Sequence, residues 1–229
     1  MFTNDPYMMK TIEYLVGLGF LALFVGFWRL VNGESAERQA RRKAVWSTAP
    51  AEWFRVPERV FFHRGHAWAE PEPSGVLTVG LDDFAQQLVG PIRAIRLPEP
   101  GSTITAGERA WSIAADSKAV DMLAPVSGTV VAVNPEIERH ALLANEDPYG
   151  RGWLFKVLPK TDATLDGLLS GAAARRWTEQ VTRDLGLLVS PELGHVMQDG
   201  GMPIHGLARG IDEEHWERIA ARFLLTGRD

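Results

Sequence analysis

Lys118 stands in the stretch SIAADSKAVDMLAPVSG (112–128), among small residues and just ahead of a Pro-Val-Ser-Gly turn. A lysine amine in such a place could form an amide with a carboxylic acid and carry a cofactor on a swinging arm; it could equally be a solvated turn residue. The other residues with chemical reach are six histidines, His63, His66, His140, His195, His205 and His215. Only His63 and His66 are close in sequence, and no acidic cluster of ligand spacing accompanies them, so no metal site is expected. The chain has no cysteine, which removes disulfides, zinc–thiolate sites and iron–sulfur clusters together. There is no Gly-rich phosphate loop, no G-x-S-x-G elbow and no H-E-x-x-H. No catalytic residue is therefore expected, and the chain is not expected to be an enzyme. QDGG (198–201) is a turn signal.

The elements that must position Lys118 are short strands. From about Val60 the sequence alternates and turns often. GVLTVGL (75–81) predicts a strand, and DDFAQQLVG (82–90) a short helix capped by Asp82 or Asp83 and stopped at Gly90-Pro91. IRAIRL (92–97) alternates with Ile92, Ala94 and Ile95 as its inward residues, and GTVVAVN (128–134) and LFKVLP (154–159) are further strands. Many short strands with turn punctuation predict a sandwich or barrel. The segment around Lys118 reads as two strands joined by a tight turn. At 229 residues, 45% apolar, the chain can bury one good core and a small second unit. A mild net charge of −5 argues against a nucleic-acid partner, since such binders usually show a basic patch.

IEYLVGLGFLALFVGFWRLV (12–31) predicts a single transmembrane helix within an anchor of residues 1–33, because twenty helical residues span about the hydrocarbon thickness. Glu13 and Arg29 fall at its ends, and Tyr7, Tyr14 and Trp28 where an aromatic belt would lie. Only Lys10 precedes the span, whereas Arg29, Arg38, Arg41, Arg42 and Lys43 follow the apolar core. That asymmetry places the C-terminal bulk in the cytoplasm, at an inner membrane, with membrane lipid as one partner. Residues 34–59 read as a linker, broken at Pro50.

Residues 60–160 carry a resemblance. The run HAW, GVLTVGLDDFAQQLVGPIRAIRLPEPGSTITAGE, APVSGTVVAVN and NEDPYGRGWLFKVLP is similar to the H protein of the glycine cleavage system, of the lipoyl/biotinyl carrier fold. NEDPYGRGWL (145–154) is its most specific part; Pro148, Gly150 and Gly152 make turns there, and Trp153 is read as a large core side chain. The resemblance implies a flattened all-β sandwich or barrel hybrid of two hairpin motifs. It also implies a lipoylated lysine at one hairpin tip, whose arm shuttles between partner enzymes.

Register bears on whether Lys118 is that lysine. In the family the lysine lies ten residues after the glycine that ends the preceding turn and eight before the proline of the next; counted from Gly107 and Pro125, both land on Ser117. With Ser117 at the tip, Ile113 and Ala115 share a face with Val120 and Met122, and Asp121 points away. A compensating bulge would return Lys118 to the tip.

Residues 161–229 extend beyond the resemblance. GAAARRWTEQVTRDLGLLV (171–189) predicts a helix with Trp177, Val181, Leu185 and Leu188 on one face, and DEEHWERIAARFLL (212–225) a helix capped by Asp212. The fold class expected is thus an N-terminal transmembrane helix, a lipoyl-type β domain and a C-terminal α-helical extension. The function expected is that of a non-catalytic accessory or scaffold subunit, bound to the other subunits of an energy-transducing, respiratory or photosynthetic membrane complex, without lipoyl or other cofactor. The alternative is a membrane-tethered carrier with lipoyl on Lys118, serving a glycine-cleavage-type or related redox or one-carbon system.

Overall fold

Alternation along the central third of the chain builds two sheets. The structure, a computed structural model, describes residues 14–21, 23–25, 53–160, 165–188, 197–198, 202–203 and 205–227. The strands are β1 (Phe61–Phe62), β2 (Ala67–Pro71), β3 (Leu77–Leu81), β4 (Ala94–Arg96), β5 (Thr103–Ile104), β6 (Arg109–Ala115), β7 (Lys118–Leu123), β8 (Gly128–Val133) and β9 (Phe155–Pro159). A six-stranded sheet runs β1-β2-β3-β9-β8-β5, and a three-stranded sheet runs β4-β6-β7. Leu77, Val79, Leu81, Val130, Phe155 and Val157 from the first sheet share one core with Trp111, Ile113, Val120 and Met122 from the second. Trp111 meets Phe155 edge to face, with ring centroids 6.2 Å apart, at the seam between the sheets. The β-rich, H-protein-like part of the expected fold is present.

The transmembrane helix expected over 12–31 is corrected. Among the described residues no helix is long and apolar enough to cross a membrane. Residues 14–21 and 23–25 are helical. The other positions of the expected span, and residues 34–52 of the expected linker, lie outside the described residues. The chain divides into two units, Met1–Ala44 and Val45–Asp229. Within the second, Trp53 and Phe54 at the end of the expected linker are buried in the main core.

The short helix α1 (Asp83–Val89) is capped by Asp82, whose carboxylate accepts from the Ala85 N–H. Its end is set by Gly90, at φ 88° and ψ −157°, a region open essentially to glycine alone. A Cβ added there would also lie 2.9 Å from the Cα of Gly206, where the C-terminal segment crosses. Gly90→Ala is expected to lower stability by about 2 kcal/mol, read as the midpoint shift in a urea melt; a change below about 0.5 kcal/mol would show that the crossing yields freely.

One expected inward residue, Ala94, differs, while Ile95 packs against the main core. Ala94 is exposed and Ile95 half-buried, while Ile92 is buried ahead of β4. Trp153 is half-buried, with the Lys156 ammonium 5.1 Å from its ring centroid. Leu154 and Phe155 are the core residues of that stretch.

After α2 (Pro135–Arg139) and α3 (Leu143–Glu146), the helix α4 (Gly171–Leu188) packs through Ala174, Thr178, Thr182 and Leu185. Trp177 and Val181, expected on that face, are half-buried and pack against the core. The buried threonines are satisfied within the helix, Thr178 donating to the Ala174 carbonyl and Thr182 to that of Thr178. Two further helices, α5 (Leu207–Ile211) and α6 (Trp216–Phe223), close the chain. Leu207, Ala208, Trp216, Ala220 and Leu224 bury in the core that the sheets share.

Candidate functional site

The hairpin β6–β7 pairs Ile113 with Val120, Ala114 with Ala119 and Ala115 with Lys118. Asp116 and Ser117 are thereby left as a two-residue turn. Asp116 takes a positive φ of 54°, which a short polar side chain tolerates and which suits a tight hairpin loop. Lys118 is the first residue of β7. Because strand side chains alternate, it leaves the hairpin on the same face as Ala115 and Val120, and Asp121 leaves on the other. Ile113, Ala115, Val120 and Met122 are buried, and Asp121 is exposed.

That face is covered near the turn by the C-terminal helices. The Lys118 Nζ donates to Glu217 Oε2 at 2.7 Å and to the Glu214 carbonyl. The two charged side chains are 35% and 29% exposed, so solvent screens the pair only in part. The hydrogen bond from Lys118 holds the Glu217 carboxyl below the usual carboxylate range. A depressed carboxyl stabilises the folded arrangement above its unfolded pKa and loses that contribution as pH falls through the folded value. The contact is therefore formed at neutral pH and released by acid. From α5, Arg209 Nη1 reaches Asp116 Oδ2 in the turn at 2.5 Å, and its guanidinium stacks 5.3 Å from the Trp216 ring centroid. Arg209 also donates to the Val89 carbonyl at 3.4 Å, and Gly206 N–H to that of Gln87 at 2.7 Å. On β6, Arg109 donates to the Thr226 carbonyl at 2.8 Å.

Of the residues singled out in the sequence, Lys118 and Ser117 thus sit side by side at the end of the hairpin. Glu217, Arg209 and Asp116 complete the setting and carry no local signal; their contacts join segments about a hundred residues apart. Among the described residues no group of three or more His, Cys, Asp or Glu is placed to hold an ion. His66 is instead buried against Asp82, Nδ1 to Oδ2 at 2.7 Å, and stacks on Phe84 and Trp177 at 4.3 and 4.6 Å. Burial, and then the neighbouring His66, lower the pKa of His63.

The NEDPYGRGWL segment braces the other side of the domain. Asn145 accepts from the Ile92 N–H and donates to the Gly90 carbonyl, fixing the chain between α1 and β4. The Tyr149 hydroxyl donates to the Arg55 carbonyl and accepts from the Asp83 N–H. Burial, and then the Asp82 charge, push Tyr149 well above the usual phenol range, so it remains a hydroxyl.

A two-sheet β sandwich of this kind defines a domain of the lipoyl-type fold. A family model described as Glycine cleavage H-protein matches residues 60–181. The glycine cleavage system H protein of Marinobacter nauticus is 37% identical over 118 residues, which cover 52% of this chain and 91% of that protein. That of Neisseria meningitidis serogroup C is 40% identical over 115 residues, covering 50% and 90%. A crystal structure of a glycine cleavage system H protein from Mycobacterium marinum aligns with a TM-score of 0.48 and 30% identity, covering 55% of this chain and 98% of that one. The chain belongs to the glycine cleavage H-protein family. The matched region runs past the expected boundary at 160 and takes in much of α4; α5 and α6 lie beyond it.

Proposed function

We propose that this chain is a carrier protein of the glycine-cleavage type, with Lys118 as the attachment point for a lipoyl group. The observation that supports the reading most directly is Lys118 itself, a primary amine next to the turn of a hairpin in a domain of this family. The relatives it resembles are named as H proteins of the glycine cleavage system. The amine fits the group: it can form the amide, and its side chain is part-exposed at the end of the hairpin. When attached, the lipoyl group supplies a dithiolane at the end of a long flexible arm. The protein's own part is to hold the arm on a rigid hairpin and to carry rather than catalyse.

A second reading keeps the fold without the arm. It is favoured by the turn, which holds Asp116 and Ser117, so that Lys118 begins the strand instead. Serine cannot form the amide. Intact mass and peptide mapping of protein from its native host separate the two. The carrier reading expects a lipoyl adduct on Lys118 at high occupancy, absent in Lys118→Ala. An unmodified Lys118 would favour the armless reading.

A further inference from the structure

Beyond the matched family region, the chain spends two helices on the end of its own hairpin. We propose that α5 and α6 form a resident cover over Lys118, so that the amine is acylated only when the cover lifts. The proposal rests on the carrier reading for its biological sense, though the cover itself is testable without it.

An ammonium has three donors and no acceptor. Here two of its directions are taken, by the Glu217 carboxylate and the Glu214 carbonyl, both from the segment that leads into α6 or begins it. The turn is held as well, through Arg209 and Asp116. The helices are not loosely laid on: Trp216, Ala220 and Leu224 are buried in the core, and Phe223 lies 5.7 Å from Phe84 of α1. An acylating enzyme needs the hairpin end clear, and its nucleophile must be the neutral amine. A carboxylate at 2.7 Å opposes this by occupying the approach and by holding one of the amine's hydrogens.

The chemical step makes the cover one-way. With an acyl adenylate of lipoic acid as donor, the neutral amine attacks the acyl carbon. The C–N bond forms, the acyl–oxygen bond to the adenylate breaks, adenylate leaves, and the former ammonium has given up two protons. No redox change occurs. The product amide carries no charge and a single N–H, so Glu217 loses its ionic partner. Modification therefore removes the contact that restrained it, and an acylated hairpin does not return to the covered state by the same bond.

The test uses the full chain, Glu217→Gln, Glu217→Lys, and Glu213→Gln as a control on the same segment. Two readouts are taken at neutral pH after circular dichroism shows each variant folded. One is acetylation of Lys118 by an amine-reactive acetyl ester, mapped by peptide mass. The other is lipoylation by a lipoate–protein ligase supplied with lipoic acid and ATP, followed by intact mass. Both rates are expected to rise about tenfold in Glu217→Gln, further in Glu217→Lys, and not at all in Glu213→Gln. Equal rates in all four proteins would overturn the cover while leaving the carrier reading intact. Faster acetylation without lipoylation in any variant would support the cover and overturn the carrier reading.

Discussion

Val120→Asp is expected to unfold the β domain or leave it close to unfolding. Val120 is 4% exposed and sits opposite Ile113 on the hairpin face that enters the common core. A carboxylate there would sit among the apolar side chains of the core, and an uncompensated buried charge costs about 4 kcal/mol or more. That is a large share of the roughly 5–15 kcal/mol that holds a domain folded. Asp121→Ala, one residue on, is expected to be nearly silent. Its carboxylate is about half exposed and lies 3.6 Å from Arg109, a pair of the kind that contributes little. Urea melts of the two variants should therefore differ by several kcal/mol. If Asp121→Ala were the damaging change, the hairpin would be paired one residue out of the register described, and Lys118 would return to the tip.

The contrast between those neighbours was legible in the sequence because alternation is local. Ile113, Ala115, Val120 and Met122 announce one face without reference to any other part of the chain. The cap at Asp82 or Asp83, the stop at Gly90 and the strands β3, β8 and β9 of the larger sheet are legible for the same reason. The α4 face was read one position off because its closest contacts are made by Ala174, Thr178 and Thr182. A scan for large apolar residues passes over small ones that allow close approach and threonines whose hydroxyls are satisfied by their own helix. The setting of Lys118 was not legible at all. Glu217 is 99 residues away in sequence, and its helix reads as an ordinary amphipathic one until the fold places it over the hairpin.

Asp82→Ala is the other change expected to be costly, at about 3 kcal/mol. The carboxylate serves two partners from a buried position: Oδ1 accepts from the Ala85 N–H at 2.8 Å, and Oδ2 meets His66 Nδ1 at 2.7 Å. Loss of an N-cap costs about 1 kcal/mol. Leaving the Nδ1 of a histidine that is 1% exposed without a partner adds about 1–3 kcal/mol. Asp82→Asn keeps the capping oxygen and offers His66 a neutral partner, so it should lose much less, about 1 kcal/mol. Matching losses in the two variants would mean that the cap and the histidine contact matter little beside the charge. The consequence should not stay local. The carbonyls of Gln87 and Val89, toward the other end of α1, hold Gly206 and Arg209 of the C-terminal segment. Fraying α1 from its cap should therefore weaken the hold on α5 and α6. Hydrogen exchange over 207–224 is expected to quicken in Asp82→Ala and to stay near the wild-type rate in Asp82→Asn. An unchanged exchange rate in a destabilised Asp82→Ala would show that α5 and α6 are held by their own burial in the core and draw nothing from α1.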